Sequence, residues 1–399
     1  MNSVFQSSSQ RARSRGFSIV ELMVSVVIGM LAIMFATRLI TGGEQTKQGA
    51  LGGSDAMQNG MLAMFAISND AKQAGYGLND PILAGCNAVF SDTADFTLAQ
   101  DTNGGATRQP LAAAIIDNNG SRPDVISLYS GSSITGTPTV RMLGSYAGGS
   151  AITIDREPYG FAVSDVIVVA AEKAGAANCA VAQVSAKSVS GAKVPFLRFD
   201  KAADQRFNAG ELGAFYDLNA ARIFNLGPAD KLSFHTWSVS DDGFLKLRAT
   251  DMANSGATPA IIADNIVSIK AQYGFDTRKG IAFKPENGTQ VLQWSADMID
   301  ADGDGVVGGA GDFQHIAALR LAVVARSKSP ARVDASGSCA ATTAQPVVFA
   351  AEEPAGVTAV PVTVDVTVTG DTVDWKCYRY RAFETIVPIR NTAWRPTAW

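Results

Sequence analysis

The chain begins with a polar stretch that changes abruptly to an apolar one at Phe17. From Phe17 to Ala36 the sequence reads FSIVELMVSVVIGMLAIMFA, and Glu21 is the only charged residue in these twenty positions. Twenty helical residues at 1.5 Å each span about 30 Å, which is the thickness of the hydrocarbon core of a membrane. The pattern therefore predicts a membrane-spanning helix.

The residues before this segment predict its orientation. Residues 1–16 carry Arg11, Arg13 and Arg15 and no acidic residue, and such positive charge favours a cytoplasmic N-terminus with the rest of the chain outside. A cleaved secretory signal and a plain signal anchor are the alternatives. Glu21 argues against both, because a carboxylate at membrane depth costs about 2.5 to 3.5 kcal/mol and is a functional candidate by default.

The helical pattern continues from the apolar segment to about residue 77. Four large apolar residues recur there at spacings of three and four and predict the packing face of the helix: Met57, Met61, Met64 and Phe65. Several glycines lie between Thr41 and Ser54. Because each lowers helix stability by up to about 1 kcal/mol relative to alanine, a bend or a local loss of helix is predicted there.

From residue 78 onward the apolar period changes to two, which is typical of strands. The strand candidates are Asp124–Tyr129, Asp165–Ala170, Ala180–Ser185, Phe244–Arg248, Ile266–Tyr273 and Ile316–Ala325. Asp241-Asp242-Gly243 and Asn287-Gly288 are predicted hairpin turns. The predicted fold class is α+β, with a long N-terminal transmembrane helix and a large β-rich globular head. The predicted boundaries are a leader at 1–16, the helix at 17–77 and the head at 78–399.

Composition supports a folded extracytoplasmic head. The chain has 399 residues, of which 47% are hydrophobic, and a net charge of −4; this charge balance gives no indication of nucleic-acid binding. The four cysteines, Cys86, Cys179, Cys339 and Cys377, include no CxxC pair and predict two disulfides outside the cytoplasm. Three connectivities are possible. Sequence proximity favours Cys86 with Cys179 and Cys339 with Cys377.

Signs of catalysis are sparse. The two histidines, His235 and His315, are far apart in the sequence, and no G-x-S-x-G motif is present. Gly303, Gly305 and Gly308 form a GxGxxG string, but the aspartates among them would repel a phosphate. We therefore expect a protein that is not an enzyme.

One ligand motif stands out, the DADGDG segment that begins at Asp300. Asp300, Asp302 and Asp304 alternate, and Gly305 follows where a calcium loop makes its sharp turn. The Val306 carbonyl and Asp312 are candidates to complete the shell, although Gly311 occupies the twelfth position, where an EF-hand loop has glutamate. The segment predicts either an isolated calcium loop or a solvated acidic turn.

The N-terminal segment resembles the leader and first helix of type IV pilins and pseudopilins, through RSRG followed by FSIVELMVSVVIG. The resemblance implies that prepilin peptidase cuts between Gly16 and Phe17 and that the new amino group of Phe17 is methylated. It also implies that Glu21 neutralises the terminal amine of a neighbouring subunit. Paired opposite charges in hydrocarbon escape much of the cost that each bears alone.

The head resembles that of minor pilins of the PilW class. The similar segments are ISNDAKQAGYG at 67–77, YGFD at 273–276 and YRYRAFETIVPIRN at 378–391, whereas the Ala/Gly/Thr-rich stretches 88–112 and 340–362 depart from the pattern. The resemblance implies a minor pilin that primes or supports pilus assembly, at or near the filament tip. It implies contacts with major and minor pilins through the N-terminal helix and a possible tip adhesin as a partner.

The same resemblance implies two locations, the inner membrane with a periplasmic head before assembly and the pilus afterwards. A minor pseudopilin of a type II secretion system shares the leader and the helix and remains an alternative. A surface adhesin or a periplasmic enzyme that uses a pilin-type anchor is the second alternative. Neighbouring prepilin-like genes would favour the pilus, and neighbouring secretion genes the pseudopilin.

Overall fold

A computed structural model describes most of the chain. The described residues are 18–101, 107–133, 138–173, 175–331, 333, 338–339 and 341–393, and for residues 41–52, 286 and 392–393 the description covers the backbone alone. The chain divides into two compact units, Met1–Gly52 and Gly53–Trp399. The second unit thus begins at Gly53, well before the predicted head boundary at residue 78.

The N-terminal helix, α1, runs from Ile19 to Gln73. It is continuous through the glycine-rich stretch, so the predicted local loss of helix does not occur. At its end, Gly75 takes a left-handed conformation with φ of 83°, which glycine adopts at little cost and which ends a helix. Asn391 Nδ2 donates to the carbonyls of Gln73 and Ala74 at 3.0 and 3.1 Å. A residue near the far end of the chain therefore caps the helix.

The remaining described residues form twenty strands and two short helices. The strands are β1 (Cys86–Val89), β2 (Pro110–Leu111), β3 (Ala114–Asp117), β4 (Val125–Ser130), β5 (Thr139–Leu143), β6 (Ala151–Ile154), β7 (Asp165–Ala171), β8 (Cys179–Gln183), β9 (Ala186–Lys187), β10 (Phe196–Arg198), β11 (Ala221–Pro228), β12 (Ser233–Val239), β13 (Phe244–Ala249), β14 (Ala260–Asp264), β15 (Ile266–Phe275), β16 (Gln293–Ser295), β17 (Ile316–Arg326), β18 (Val347–Val348), β19 (Val362–Thr363) and β20 (Tyr380–Pro388). The helices are α2 (Ala310–Gln314) and α3 (Arg390–Ala393). All six predicted strands are present, and the β-rich head is confirmed.

The strands form four sheets. The largest has the order β2-β1-β8-β7-β11-β5-β6-β10-β9, the second β14-β13-β12-β4-β3, the third β16-β15-β17-β20, and the last pairs β18 with β19. The predicted turn at Asp241 to Gly243 joins the antiparallel pair β12 and β13. The prediction at Asn287-Gly288 is wrong, because these residues end a 3-10 turn, Pro285–Asn287, in the long connection between β15 and β16.

Residues 53–73 of α1 pack on the sheets through small side chains rather than through the predicted methionine face. The buried positions are Ala56, Gly60, Ala63, Ile67 and Ala71. Of the predicted face, Met57, Met61 and Phe65 are 45, 47 and 69% exposed, whereas Met64 is half-buried and does pack against the core. Small residues occupy the packing face because the helix lies very close to the sheet. A Cβ on Gly60 would fall 2.1 Å from the Phe383 ring of β20. Large side chains do not fit at that distance.

The nine-stranded sheet separates two hydrophobic cores. Val166 and Val168 of β7 face the core that α1 covers. Ile167 and Val169 point to a second core on the opposite face. This explains why β7 reads as a continuous apolar run, since a strand buried on both faces shows no polar alternation.

Side chains of the four-stranded sheet hold the Ala/Gly/Thr-rich segment 340–362. Gln272 Nε2 donates to the Val360 carbonyl at 2.7 Å, Arg320 donates to the Ala351 carbonyl at 3.0 Å, and Glu384 accepts from the Phe349 N–H at 3.0 Å. The described part of this segment, 341–362, has little regular structure apart from the two-residue strand β18 and the first residue of β19, Val362. Side chains thus satisfy three of its backbone polar groups, which no sheet ladder pairs.

The disulfides link Cys86 with Cys179 and Cys339 with Cys377. This is the pairing that sequence proximity favours. The first bond joins the parallel neighbours β1 and β8. The second fixes the 3-10 turn Trp375–Cys377 just before β20.

A polar cluster around the buried His235 attaches α1 to β12. Asp70 Oδ2 of α1 accepts from His235 Nδ1 at 2.7 Å and from Trp237 Nε1 at 2.8 Å. On the other side of the ring, His235 Nε2 donates to Asp251 Oδ1 at 2.7 Å. Burial by itself lowers the pKa of His235, but the hydrogen bonds to the two carboxylates outweigh it and raise this pKa to about 9. The imidazole is therefore charged at neutral pH.

The packing face of α1 predicts opposite outcomes for two substitutions. Ala63→Leu adds bulk to a fully buried contact and should lower the free energy of unfolding by about 1 to 3 kcal/mol. Met61→Ala, on the exposed face, should change it by no more than about 0.5 kcal/mol. Thermal or denaturant unfolding of the full chain in detergent would measure both. A larger loss for Met61→Ala than for Ala63→Leu would show that the methionine face packs after all.

The His235 cluster predicts a loss of stability at alkaline pH. Because its pKa is raised from 6.5 to about 9 on folding, the charged imidazole contributes fully below about pH 6.5, and the contribution is lost as pH rises through about 9. The difference is up to about 3 kcal/mol. His235→Gln removes the titrating group. Its unfolding free energy should be lower at pH 6 and less dependent on pH between 6.5 and 9 than that of the native chain; parallel pH curves would contradict the assignment.

Candidate functional site

The first half of α1 has the properties of a membrane segment. Residues Ile19–Ile40 form a helical stretch of 22 residues that is long and apolar enough to cross a membrane, and none of its window is buried within the chain. At 1.5 Å per residue this stretch is about 33 Å long. Exposed apolar side chains over such a length need lipid or other helices around them.

Glu21 lies in the first turn of this helix, with its side chain exposed. Its Oε2 accepts from the Ser18 N–H at 3.3 Å. In the part of the chain that the structure describes, no basic side chain forms an ion pair with it. The carboxylate is thus available to a positive charge from outside the helix. Gly16 and Phe17, the predicted processing residues, lie outside the described residues.

The acidic loop brings the three predicted aspartates together. Carboxylate oxygens of Asp300, Asp302 and Asp304 all lie within 4.8 Å of one another. Each carboxylate also accepts from a backbone N–H two or three residues ahead: Gly303 N donates to Asp300 at 2.7 Å, Asp304 N to Asp302 at 3.0 Å and Val306 N to Asp304 at 2.7 Å. These short-range bonds fold the loop so that three oxygen donors converge.

Asp312 supports the loop from below. It is fully buried at the start of α2, and its carboxylate accepts from the N–H groups of Ala301 at 2.6 Å, Asp302 at 3.3 Å and Gly309 at 3.1 Å. Burial raises the pKa of Asp312. These three hydrogen bonds position the loop, and a further role of Asp312 as a calcium ligand stays a prediction.

The glycine at the twelfth loop position has a steric reason. A Cβ on Gly311 would lie 1.7 Å from Asp302 Oδ2, so the aspartate carboxylate occupies the space that a larger residue would need. The donors that the structure brings together are the carboxylates of Asp300, Asp302 and Asp304. They are hard oxygens of the type that calcium prefers, and the Val306 carbonyl stays a predicted fourth donor.

Neither histidine is arranged for catalysis. Ser233 Oγ lies 3.1 Å from His235 Nε2, and Asp70 contacts the other ring nitrogen, which places a serine, a histidine and an aspartate in line. Asp251 also binds Nε2, and the imidazole is protonated, so it has no lone pair to accept a proton from Ser233. His315 is buried, its Nδ1–H donates to the Asp276 carbonyl at 2.5 Å, and its ring stacks on Phe283.

Sequence reasoning missed two features. The first is the cluster of Asp70, His235 and Trp237. His235 and Trp237 lie 165 and 167 positions after Asp70, so no local sequence pattern links them. The second is the true packing face of α1. The spacing of Ala56, Gly60, Ala63 and Ile67 by three and four would have predicted it, had small residues been weighed as packing residues.

Comparisons with known families match two parts of the chain. Residues 238–391, from β12 to α3, match the model of type IV pilus-assembly protein W, PilW. Residues 11–37, which include Glu21, match the prokaryotic N-terminal methylation motif. Comparisons with curated proteins and with solved structures give no match. The two matched segments support a PilW-like type IV pilin.

Proposed function

We propose that this chain is a minor pilin that primes or supports type IV pilus assembly, at or near the filament tip. The observation that carries the proposal is the joint match to PilW in the β-rich head and to the methylation motif at the N-terminus. The first supports a role in pilus assembly, and the second supports a membrane-anchored subunit that later joins the pilus.

The size of the head supports a low-copy position. Residues 53–399 form one compact unit, far bulkier than a subunit that must pack in thousands of repeats needs to be. Such a unit is easier to accommodate where few neighbours surround it. The filament tip offers that arrangement.

Glu21 is the residue that we propose to set the assembly register. Before assembly, the apolar part of α1 lies in the inner membrane and the head is periplasmic; prepilin peptidase cuts before Phe17. The exposed Glu21 carboxylate has no basic partner among the described side chains. Pairing with the terminal amine of a neighbouring pilin would remove most of the cost of holding either charge in hydrocarbon.

Deletion of the gene tests the proposed function. Surface pili, counted by electron microscopy, should fall sharply in the deletion strain and return when the native gene is restored. Normal piliation and motility without the gene would refute the priming role.

Restoration with Glu21→Gln tests the proposed pairing. The variant keeps the shape of the side chain but not its charge. It should insert into the membrane at least as well as the native chain, because an unpaired carboxylate is costly there. Its incorporation into pili should fall at least about tenfold, which corresponds to the loss of about 1.4 kcal/mol of pairing. Membrane fractionation and quantitative blotting of sheared pili would measure the two, with Glu21→Asp as the charged control. Equal piliation by Glu21→Gln would show that the charge is not needed.

We further propose that the acidic loop binds calcium through Asp300, Asp302, Asp304 and the Val306 carbonyl. Three carboxylates within 4.8 Å repel one another, and a divalent cation between them would relieve this repulsion. The loop lacks a twelfth-position glutamate, so we expect weak binding, with Kd on the order of 10⁻⁴ to 10⁻³ M as in extracellular modules.

Calcium should therefore raise the stability of the full chain in detergent. At a free concentration ten times Kd, binding adds about 1.4 kcal/mol to the free energy of unfolding. Thermal melts with calcium and with chelator would detect this difference. Asp302→Asn is the matched control, because its amide oxygen can still accept from the Asp304 N–H while the charge is lost. The control should lose most of the calcium response. Identical melting temperatures of the native chain in both conditions would indicate a solvated turn.

A further inference from the structure

Strand β20 is paired along only one of its edges. It pairs with β17 over nine residues without a register shift. Ser327 N donates to the Arg379 carbonyl and Ile389 N to the Ala317 carbonyl, so the odd-numbered residues of β20 are those that bond to β17. In an antiparallel pair the alternate residues point their N–H and C=O groups the other way. These are Ala382, Glu384 and Ile386, and no group in the described residues bonds to their N–H groups.

The other sheet edges are short or covered. In the described part of the chain, the terminal strands of the three larger sheets other than β20 have two to five residues. The longest of these, β14, carries Asp264, which accepts a hydrogen bond from Asn59 of α1 at 2.5 Å, and its pairing with β13 contains a register shift. Proteins usually protect long edges by such means. The nine-residue edge of β20 lacks them, apart from Pro388 at its end.

The edge is held rigidly. On one face, the Phe383 ring packs against Gly60 of α1. Val387, on the same face, is almost fully buried. On the other face, Glu384 accepts from the Phe349 N–H. A fixed row of backbone donors and acceptors can accept another strand with little further loss of conformational entropy.

An exposed apolar stripe adjoins this edge. Met57, Met61 and Phe65 lie on the same turns of α1 as Gly60 and are exposed, while Gly60 itself contacts β20. A polypeptide that paired with β20 would therefore find apolar surface beside it. Rims of this kind, with backbone hydrogen bonds and adjacent apolar contacts, are typical of binding by strand addition.

We propose that the free edge of β20 binds a β-strand from a different pilin-type subunit, which also contacts the Met57, Met61 and Phe65 stripe. The inference rests on the proposed function for the class of partner. The edge requires an extended polypeptide, because only a second backbone matches alternating N–H and C=O groups. In the proposed function this chain meets other pilin-type subunits during assembly, so we take the strand to come from one of them.

A second copy of this chain fits the edge less well. Two β20 strands form a symmetric ladder only when antiparallel, about a two-fold axis perpendicular to the sheet. This axis reverses the direction of residues 53–73 in the partner. A strand from a different subunit is not bound by this symmetry and can add in either direction, so we assign the edge to a different subunit.

Site-specific cross-linking in cells with their own pilus machinery tests the assignment. A photoreactive benzoyl-phenylalanine replaces the exposed Arg381 of β20 in the full chain. After irradiation, the expected product joins this chain to a protein that mass spectrometry identifies by a prepilin-type, N-methylated terminus. The same label at the highly exposed Ile281 should not give that product.

Two substitutions at Ala382 provide the matched pair. Ala382→Pro removes an N–H that β17 does not use, so the sheet should remain while strand addition is lost, and the cross-link should fall at least tenfold. Ala382→Val keeps the N–H and should retain the cross-link. Ala382→Lys keeps the backbone but places a charge of the kind that blocks edges and should also reduce it. Melting temperature and both disulfides, checked in each variant, show whether it is folded.

The outcomes separate the edge from the proposed function. A cross-link that persists in folded Ala382→Pro, that joins two copies of this chain, or that joins a chain without a prepilin-type terminus would overturn the inference. Pilus counts are read separately in the same strains. Normal pili without the gene, together with an Ala382→Pro-sensitive cross-link to another pilin, would refute priming and leave the interaction surface standing.

Discussion

The close approach of α1 to the sheets is the contact on which the head depends. Ala56, Gly60, Ala63 and Ile67 let the helix lie on the main core without a gap, so removal of residues 53–73 would expose that core to water. The approach is fixed at the far end by Asp70, which accepts hydrogen bonds from two side chains of β12. A single helix thus carries the apolar segment Ile19–Ile40 near its start and completes a globular core near its end.

The same approach leaves the side of the helix that does not face the core free for other contacts. Because small residues face the core, Met57, Met61 and Phe65 remain exposed, and their apolar area is left for partners. The Phe383 ring that fills the space over Gly60 belongs to β20, so the helix and the sheet edge are parts of one surface. Packing inside the head thus determines what the head can offer to a neighbour.

Polar side chains within the sheets have an organising role. Lys270 of β15 is buried with Asp124, where burial raises the pKa of the carboxyl group against the effect of the ammonium, and Lys270 also donates to the Gly120 carbonyl at 2.8 Å. Gln272 and Arg320 hold the irregular segment in a similar way. Such buried polar groups are costly unless each is satisfied, so they restrict the loops to one arrangement.

The sequence by itself determined what depends on local pattern: the membrane segment around Glu21, the β-rich head with its six strands, and the alternate aspartates that begin at Asp300. Each is encoded in consecutive residues, whose period or spacing is sufficient. The tertiary structure decided the features that join distant residues. Asp312 became a support for the acidic loop because three N–H groups converge on it, and the helix buried alanines rather than methionines because a sheet lay close against it. Contacts with distant strands likewise fix the path of segment 341–362 and leave one edge of β20 unpaired. No local sequence pattern predicts these contacts.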